Sequence, residues 1–141
     1  MKILILTGPN LNLLGRREPE IYGHETLDDI HAMCADKAKE LGWEIDYRQS
    51  NHEGVLVDWI QEAMDDFDGI LINAAAYTHT SVAIHDALKM TGKPIVEVHI
   101  SDPETREEFR YHSYITPLAK MVVKGQGAKG YVIGLEAFST F

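Results

Sequence analysis

The chain has 141 residues, of which 45% are hydrophobic and 25% are charged, and its formal net charge is −9. This size and composition predict one globular domain rather than a disordered segment. Because the charge is strongly negative and no basic stripe occurs, we exclude a role on nucleic acid or an anionic membrane. Cys34 is the only cysteine, which rules out an intrachain disulfide and favours the reducing cytoplasm.

Five short apolar runs, each followed by a turn, predict five β-strands. They cover 2–7, 44–48, 69–73, 95–99 and 121–124, and the last, cut short by Lys124 and Gly125, is expected at a sheet edge. The first run ends after a few residues at Thr7, so we expect a strand there and no signal peptide. No stretch approaches the ~20 apolar residues that a membrane span requires.

Apolar residues between the strands recur at helical spacing and predict four helices. The first lies between the N-cap candidate Thr26 and Gly42, and the others cover 55–67, 81–91 and 127–137. Strict alternation of strands and helices implies right-handed crossovers. The predicted fold class is therefore α/β, a flavodoxin-like, doubly wound, five-stranded parallel sheet in a single domain over 1–141.

Sheets of this kind bind ligands beyond the carboxyl ends of their strands. Gly8, Pro9 and Asn10 follow the first predicted strand, Asn73 ends the third and His99 ends the fourth. We therefore expect these residues to lie together at one edge of the sheet.

The connection from Gly8 to Glu25 is much longer than the about 2–6 residues usual between a strand and a helix. We expect a lid over about 15–25, with Gly15, Pro19 and Gly23 as hinge-like positions. The alternative is an ordinary surface loop.

Arg16, Arg17 and Tyr22 place two cations and a phenol on this connection. A phenol normally ionises near about pH 10, so a tyrosine serves as a base only when nearby cations stabilise its phenolate. Arg17 could supply most of that stabilisation, with Arg110 as a second cation. The alternative is that Tyr22 packs for its ring and the arginines are solvated.

Glu97 and His99 lie on the same face of the fourth predicted strand, since side chains alternate along a strand. A carboxylate beside an imidazole orients the ring and favours its protonated form, which makes His99 a candidate general acid. The alternative is a pair that only satisfies its own hydrogen bonds in the interior.

Residues 73–81, NAAAYTHTS, lead from a strand into a helix. The first N–H groups of that helix could bind an anion or a polyol, and ordinary capping by Thr80 or Ser81 is expected in addition. No HExxH motif or close cluster of histidines and carboxylates indicates a metal site. The glycines at 125, 127 and 130 resemble the GxGxxG motif of dinucleotide-binding proteins, but they follow the last strand. We therefore expect neither a metal nor a cofactor.

Six motifs occur in the order found in type II 3-dehydroquinate dehydratases. They are GPNLNLLGRREPEIYG (8–23), RQSNHEG (48–54), DWI (58–60), NAAAYTHTSVAIHDAL (73–88), EVHIS (97–101) and REEFRYHSY (106–114). The chain resembles this family over nearly its whole length. The resemblance implies anti elimination of water from 3-dehydroquinate through an enolate, giving 3-dehydroshikimate in the shikimate pathway or in quinate breakdown.

The resemblance also assigns the chemical roles. Tyr22 would be the base, and Arg17 would be the lid arginine that stabilises its phenolate. Asn10 would stabilise the enolate oxygen through a water. His99 would be the acid, oriented by Glu97.

Binding of the substrate is assigned by the same resemblance. Asn73 and His79 would bind the hydroxyl groups of the substrate. The backbone N–H groups of Ile100 and Ser101 would bind its carboxylate, and Arg110 would hold its ring.

Asp86 would reach the site of a neighbouring subunit, because the resemblance implies trimers that assemble into a dodecamer.

Three departures from the family pattern stand out. Ala74 and Ala75 replace a turn-forming Pro-Gly pair. Asp102 and Glu104 add two carboxylates close to the binding site, so we expect weaker binding of an anionic substrate. Lys124 and Gln126 replace residues that are usually apolar or small, and nothing in the sequence explains them.

Two other functions remain possible at this point. One is a flavodoxin-like module that binds a flavin or a nucleotide, although no phosphate-cradling loop follows the first strand. The other is an inactive member of the family that serves as a structural or interaction protein, for which the altered 102–105 stretch is the only support.

Overall fold

The computed structural model describes residues 1–16 and 18–141, so the prediction for Arg17 lies outside the described residues. Within them, five strands form one all-parallel sheet in the order β2-β1-β3-β4-β5. The strands are β1 (Lys2–Thr7), β2 (Glu44–Gln49), β3 (Gly69–Asn73), β4 (Ile95–His99) and β5 (Met121–Lys124). This is the flavodoxin-like strand order. The predicted α/β fold is confirmed, with β5 at an edge.

Helices cover both faces of the sheet. They are α1 (Pro19–Tyr22), α2 (Leu27–Leu41), α3 (Glu53–Asp66), α4 (Val82–Thr91) and α5 (Lys129–Ala137). One apolar core joins α2 and α5 to alternate residues of the sheet such as Ile3 and Val98. A second core joins α3 and α4 to the opposite face through Leu4 and Ile72. Two buried faces explain why the inner strands β1 and β3 are almost continuously apolar.

The predicted helix boundaries agree with the structure to within two residues. Thr26 caps α2 as predicted: its hydroxyl accepts from Asp29 N at 3.2 Å, and the Asp29 carboxylate accepts from Thr26 N at 2.9 Å. Ser81 caps α4 by accepting from Ile84 N at 2.9 Å. The predicted start of α5 at 127 is wrong because Gly127 is left-handed, with φ 62°, which no α-helix tolerates.

The long connection after β1 is more ordered than the sequence predicted. It contains a short 3-10 turn at Leu11–Leu13 and the one-turn helix α1, which carries Tyr22. Gly15 (φ 90°) and Gly23 (φ 84°) are both left-handed, so two of the predicted hinge positions have backbones that favour glycine.

The loops after β1 and β3 approach each other closely at the functional edge of the sheet. Gly8 N donates to Asn73 O at 2.8 Å. A Cβ atom on Gly8 would lie 2.5 Å from Ala74 O, so only glycine fits there. This contact brings Asn10 and Asn73 to the same side of the sheet.

Ala75 occupies the position where the sequence departs from Pro-Gly. Its φ is 52°, so the left-handed backbone is kept although the residue is no longer glycine. A left-handed conformation costs a residue with a Cβ about 1–2 kcal/mol. Asn73 Oδ1 offsets part of this cost because it accepts from Ala75 N at 3.1 Å.

Replacing Ala75 with glycine should therefore stabilise the protein. We expect Ala75→Gly to raise the free energy of unfolding by about 1 kcal/mol, which is about 2–4 °C in Tm for a chain of this size. Thermal and urea unfolding measure the change. Ala76→Gly is the matched control and should destabilise, because glycine there only adds entropy to the unfolded chain; a loss of stability in both variants would contradict the strained turn.

Candidate active site

A cavity of about 490 Å³, partly open to solvent, lies beyond the carboxyl ends of β1, β3 and β4. The structure brings most of the predicted site residues to its wall: Asn10, Tyr22, Asn73, His79, His99, Ile100, Ser101 and Arg110. Glu97 lies behind His99 in a second, smaller chamber of about 290 Å³. Asp86 is exposed on α4 and is not among the described residues that line the cavity.

Glu97 and His99 form the predicted pair. Both point to one face of β4, and His99 Nε2 lies 2.6 Å from Glu97 Oε2. The carboxylate is 1% exposed and also accepts from Ser113 Oγ at 2.9 Å and Thr116 Oγ1 at 2.6 Å. Burial alone would raise the pKa of Glu97, but the hydrogen bonds from His99, Thr116 and Ser113 outweigh it and hold that pKa below its usual range.

The ionised carboxylate also fixes the orientation of His99. Since a carboxylate only accepts, His99 Nε2 must carry a proton. The other ring nitrogen, Nδ1, is then available to the cavity that the ring lines. Such a ring can hold or release a proton at Nδ1 while Glu97 stabilises its positive charge.

His79 is held in the neutral tautomer that accepts from a ligand. Its Nδ1 donates to His112 O at 2.8 Å, and partial burial lowers the pKa of the imidazole. A neutral ring protonated at Nδ1 presents Nε2 as an acceptor. His79 can therefore accept a hydrogen bond from a hydroxyl group in the cavity.

Two asparagines are fixed by the backbone around them. Asn73 is 3% exposed, and its Oδ1 is used by Ala75 N. Its amide N–H groups are the donors that remain, and the buried hydroxyl of Tyr131 interacts with the same amide. Asn10 has a left-handed backbone (φ 69°), which asparagine tolerates. Asn10 N donates to Asn51 Oδ1 at 3.0 Å, and Gln49 Nε2 binds the same oxygen at 3.1 Å.

Tyr22 packs into the core with 8% of its surface exposed and still lines the cavity. The Arg106 guanidinium lies 5.1 Å from the centre of its ring, within range of a cation–π interaction. The sequence predicted Arg110 as the second cation near Tyr22. Arg110 also lines the cavity, but its guanidinium donates to the carboxylate of Glu107, and Arg106 is an arginine that contacts the phenol ring.

Ile100 and Ser101 continue directly from β4 into the cavity wall. Ile100 O accepts from Gly127 N at 3.0 Å, which ties this turn to the loop after β5. The backbone at this point is therefore held on both sides, by the sheet and by the neighbouring loop.

The added carboxylates of the 102–105 stretch have a cationic partner. Lys124 Nζ lies 3.2 Å from Glu104 Oε1 and 4.0 Å from Asp102 Oδ1. Asp102 also organises the turn, since its Oδ1 accepts from Glu104 N at 3.0 Å. The single positive charge of Lys124 therefore compensates part of the negative charge that Asp102 and Glu104 add.

In residues 1–16 and 18–141, no three histidine, cysteine or acidic side chains are grouped so as to hold a metal ion. None of the helices in the described part of the chain is long and apolar enough to cross a membrane.

A sequence model described as Dehydroquinase class II matches residues 1–139. The chain belongs to this family. A protein of Phenylobacterium zucineum named 3-dehydroquinate dehydratase is 58% identical over 135 residues, covering 96% of this chain and 93% of that protein. A protein of the same name from Variovorax paradoxus is 53% identical over 141 residues, covering 96% of this chain and 97% of that protein.

Solved structures lead to the same family. The crystal structure of a type II dehydroquinase from Butyrivibrio crossotus matches with a TM-score of 0.96 at 45% identity, covering 99% of this chain and 97% of that one. The crystal structure of a 3-dehydroquinate dehydratase-like protein from Bifidobacterium longum matches with a TM-score of 0.74 at 33% identity, covering 99% of this chain and 96% of that one. The class II dehydroquinase fold therefore extends over essentially the whole chain.

Three contacts were not predicted from the sequence: those of Ser113 and Thr116 with Glu97, and that of Arg106 with Tyr22. Ser113 and Arg106 lie inside the REEFRYHSY motif, and Thr116 follows it closely. This segment forms short 3-10 turns at Pro103–Thr105, Glu108–Arg110 and Thr116–Leu118, so no helical or strand period indicated which side chains point inward.

The buried pair should make stability depend on pH in a defined direction. The folded pKa of Glu97 lies below the ordinary carboxyl value of 4.5. Its charged form therefore stabilises the fold above that value, and this contribution is lost as the pH falls through the folded pKa. Glu97→Gln should be about 1–3 kcal/mol less stable than wild type at neutral pH, with a difference that shrinks below pH 4.5.

Urea unfolding of the wild type and of Glu97→Gln over a range of pH measures this difference. Glu108→Gln, which changes an exposed carboxyl in the same segment, is the control and should follow the wild type. A constant difference between wild type and Glu97→Gln through the acid range would contradict an ionised, hydrogen-bonded Glu97.

Proposed function

We propose that this chain removes water from 3-dehydroquinate to give 3-dehydroshikimate, with Tyr22 as the base and His99 as the acid. Membership of the class II dehydroquinase family implies this dehydration, which is a step of the shikimate pathway. The observation that carries the roles is the buried Glu97–His99 pair in the wall of a cavity that Tyr22 also lines.

The acid step uses the free nitrogen of His99. As the enolate returns to the ketone, its carbon–carbon electron pair forms the new ring double bond and the bond to the leaving hydroxyl breaks. Protonated His99 gives its Nδ1 proton to that oxygen, and water leaves. Glu97 stabilises the imidazolium before the transfer and keeps the ring aligned during it. Ser113 donates to the same oxygen of Glu97 as His99 does, and Thr116 donates to the other oxygen, so both help to fix the carboxylate.

The base step uses the phenolate of Tyr22. It removes a proton from the carbon next to the ketone, and the electron pair of that bond moves to the ketone oxygen to form an enolate. Arg106 lies over the ring of Tyr22 and places a positive charge beside the base. Arg17 is proposed as the second cation, on the basis of the family motif at 8–23.

The polar groups around the cavity divide between the oxygens of the substrate. Asn10 would stabilise the enolate oxygen through a water. The amide of Asn73 would donate to one hydroxyl, and Nε2 of neutral His79 would accept from another.

The substrate carboxylate would bind the N–H groups of Ile100 and Ser101, and Arg110 would secure the ring of the substrate. All three residues line the cavity. A charged carboxylate among backbone N–H groups and a guanidinium is a favourable arrangement.

Residues of about 15–25 are proposed to act as a lid. This segment carries Tyr22 on α1, between left-handed glycines at Gly15 and Gly23. Changes in the backbone at these two positions would let the helix and its tyrosine approach the substrate and exclude water.

The chain is further proposed to work in the cytoplasm as trimers that assemble into a dodecamer. The resemblance at 73–88 suggests that Asp86 completes the site of a neighbouring subunit. Val82 and Met90, four residues on either side of Asp86, are 51% and 65% exposed and share its face of α4. An exposed apolar stripe around an acidic residue fits a surface that another copy covers.

The test is to mix purified protein with 3-dehydroquinate and to measure the absorbance of the conjugated enone of 3-dehydroshikimate as it forms. We expect turnover by the wild type, unchanged by a chelator, and a fall in kcat of about 100-fold or more in Tyr22→Phe and His99→Asn. Tyr47→Phe and His31→Asn are matched controls on residues that line neither the cavity nor the smaller chamber and should stay active. An inactive, folded wild type would contradict the function, and full activity of either site variant would contradict its role.

A further inference from the structure

Lys124 lies beside the candidate acid. In the sheet it is the register partner of His99, and Val122 is that of Glu97. Because partners on neighbouring strands present their side chains to the same face, Lys124 shares the face of the Glu97–His99 pair. The smaller chamber of about 290 Å³ is lined by all four of these residues.

The ammonium group of Lys124 does not stand alone in this chamber. It lies 3.2 Å from Glu104 Oε1 and 4.0 Å from Asp102 Oδ1. Asp102 also caps the turn at Pro103–Thr105, and Pro103 contributes to both the cavity and the chamber. The cation is therefore bound to the turn that separates the two spaces.

The charge of this turn affects the proposed substrate. Ser101, whose N–H is proposed to bind the substrate carboxylate, directly precedes Asp102. Two uncompensated carboxylates at this position would repel an anion, and most strongly at low ionic strength, because the side chains of Asp102 and Glu104 are 35% and 61% exposed and salt screens them. Lys124 carries one positive charge against these two negative charges, so it offsets part of that repulsion.

We propose that Lys124 is a positioning residue for anionic substrates: it offsets part of the negative charge of Asp102 and Glu104 and holds the Glu104 carboxylate beside β5, so that the cavity keeps its cationic lining. This inference rests on the proposed function. It revises the expectation that the two carboxylates simply weaken substrate binding, because the same chain supplies their counter-charge.

The experiment compares KM and kcat for 3-dehydroquinate in Lys124→Met, Lys124→Arg, Glu104→Gln and the double variant Lys124→Met/Glu104→Gln. We expect Lys124→Met to raise KM about three- to tenfold at low ionic strength, with kcat within about twofold, because the loss is one of uniform binding. In Lys124→Arg and in the double variant, KM should return most of the way to the wild-type value. In about 0.5 M salt, the increase in KM of Lys124→Met should become smaller. Lys120→Met changes an exposed lysine just before β5; it is the matched control and should leave KM unchanged.

Several results would overturn the inference. Equal KM values for Lys124→Met and Lys120→Met would show that the charge of Lys124 has no role. An increase in KM of Lys124→Met that neither Glu104→Gln nor salt reduces would show that Lys124 acts only through packing. Calorimetric titration with 3-dehydroshikimate gives a second readout that needs no turnover, and an unchanged Kd in Lys124→Met would overturn the inference by itself. An inactive wild type would contradict the proposed function separately.

Discussion

The site depends on one buried charge, the carboxylate of Glu97. An ion with 1% of its surface exposed would be strongly destabilising without partners, and this one is surrounded by donors from two parts of the chain. His99 belongs to the same strand, whereas Ser113 and Thr116 come from the segment after it. The same hydrogen bonds therefore fasten the irregular 102–118 region to the sheet and fix the ring that faces the cavity.

The remaining electrostatics follow from the need to bind an anion in a chain of net charge −9. Attraction cannot come from the protein as a whole, so it must come from cations close to the ligand. Arg106 and Arg110 reach the cavity from the segment that Glu97 anchors. Lys124 approaches from the edge strand, where it meets the two acidic residues of the intervening turn.

Features with a regular period were predictable from the sequence, and features of irregular segments were not. The alternation along β4 placed Glu97 and His99 on one face, and the topology of a parallel sheet brought Asn10 and Asn73 to the same edge. The contact of Arg106 with Tyr22 was missed because Tyr22 lies on a one-turn helix and Arg106 directly follows a short 3-10 turn. Such short segments show no sequence period that would indicate which side chains point inward. Lys124 was noticed only as a departure, since its meaning depends on the register of β5 against β4.

The central claim is that Glu97 holds His99 with Nε2 protonated and Nδ1 directed to the cavity. The most direct measurement is nitrogen and proton NMR of the wild type labelled with ¹⁵N-histidine, with His99→Asn to assign its signals. The account predicts a far-downfield chemical shift for the Nε2 proton of His99, which is typical of a strong hydrogen bond to a carboxylate. This chemical shift should move upfield when Glu97 is replaced by glutamine. A His99 ring protonated only at Nδ1, or an Nε2 proton indifferent to Glu97→Gln, would contradict it.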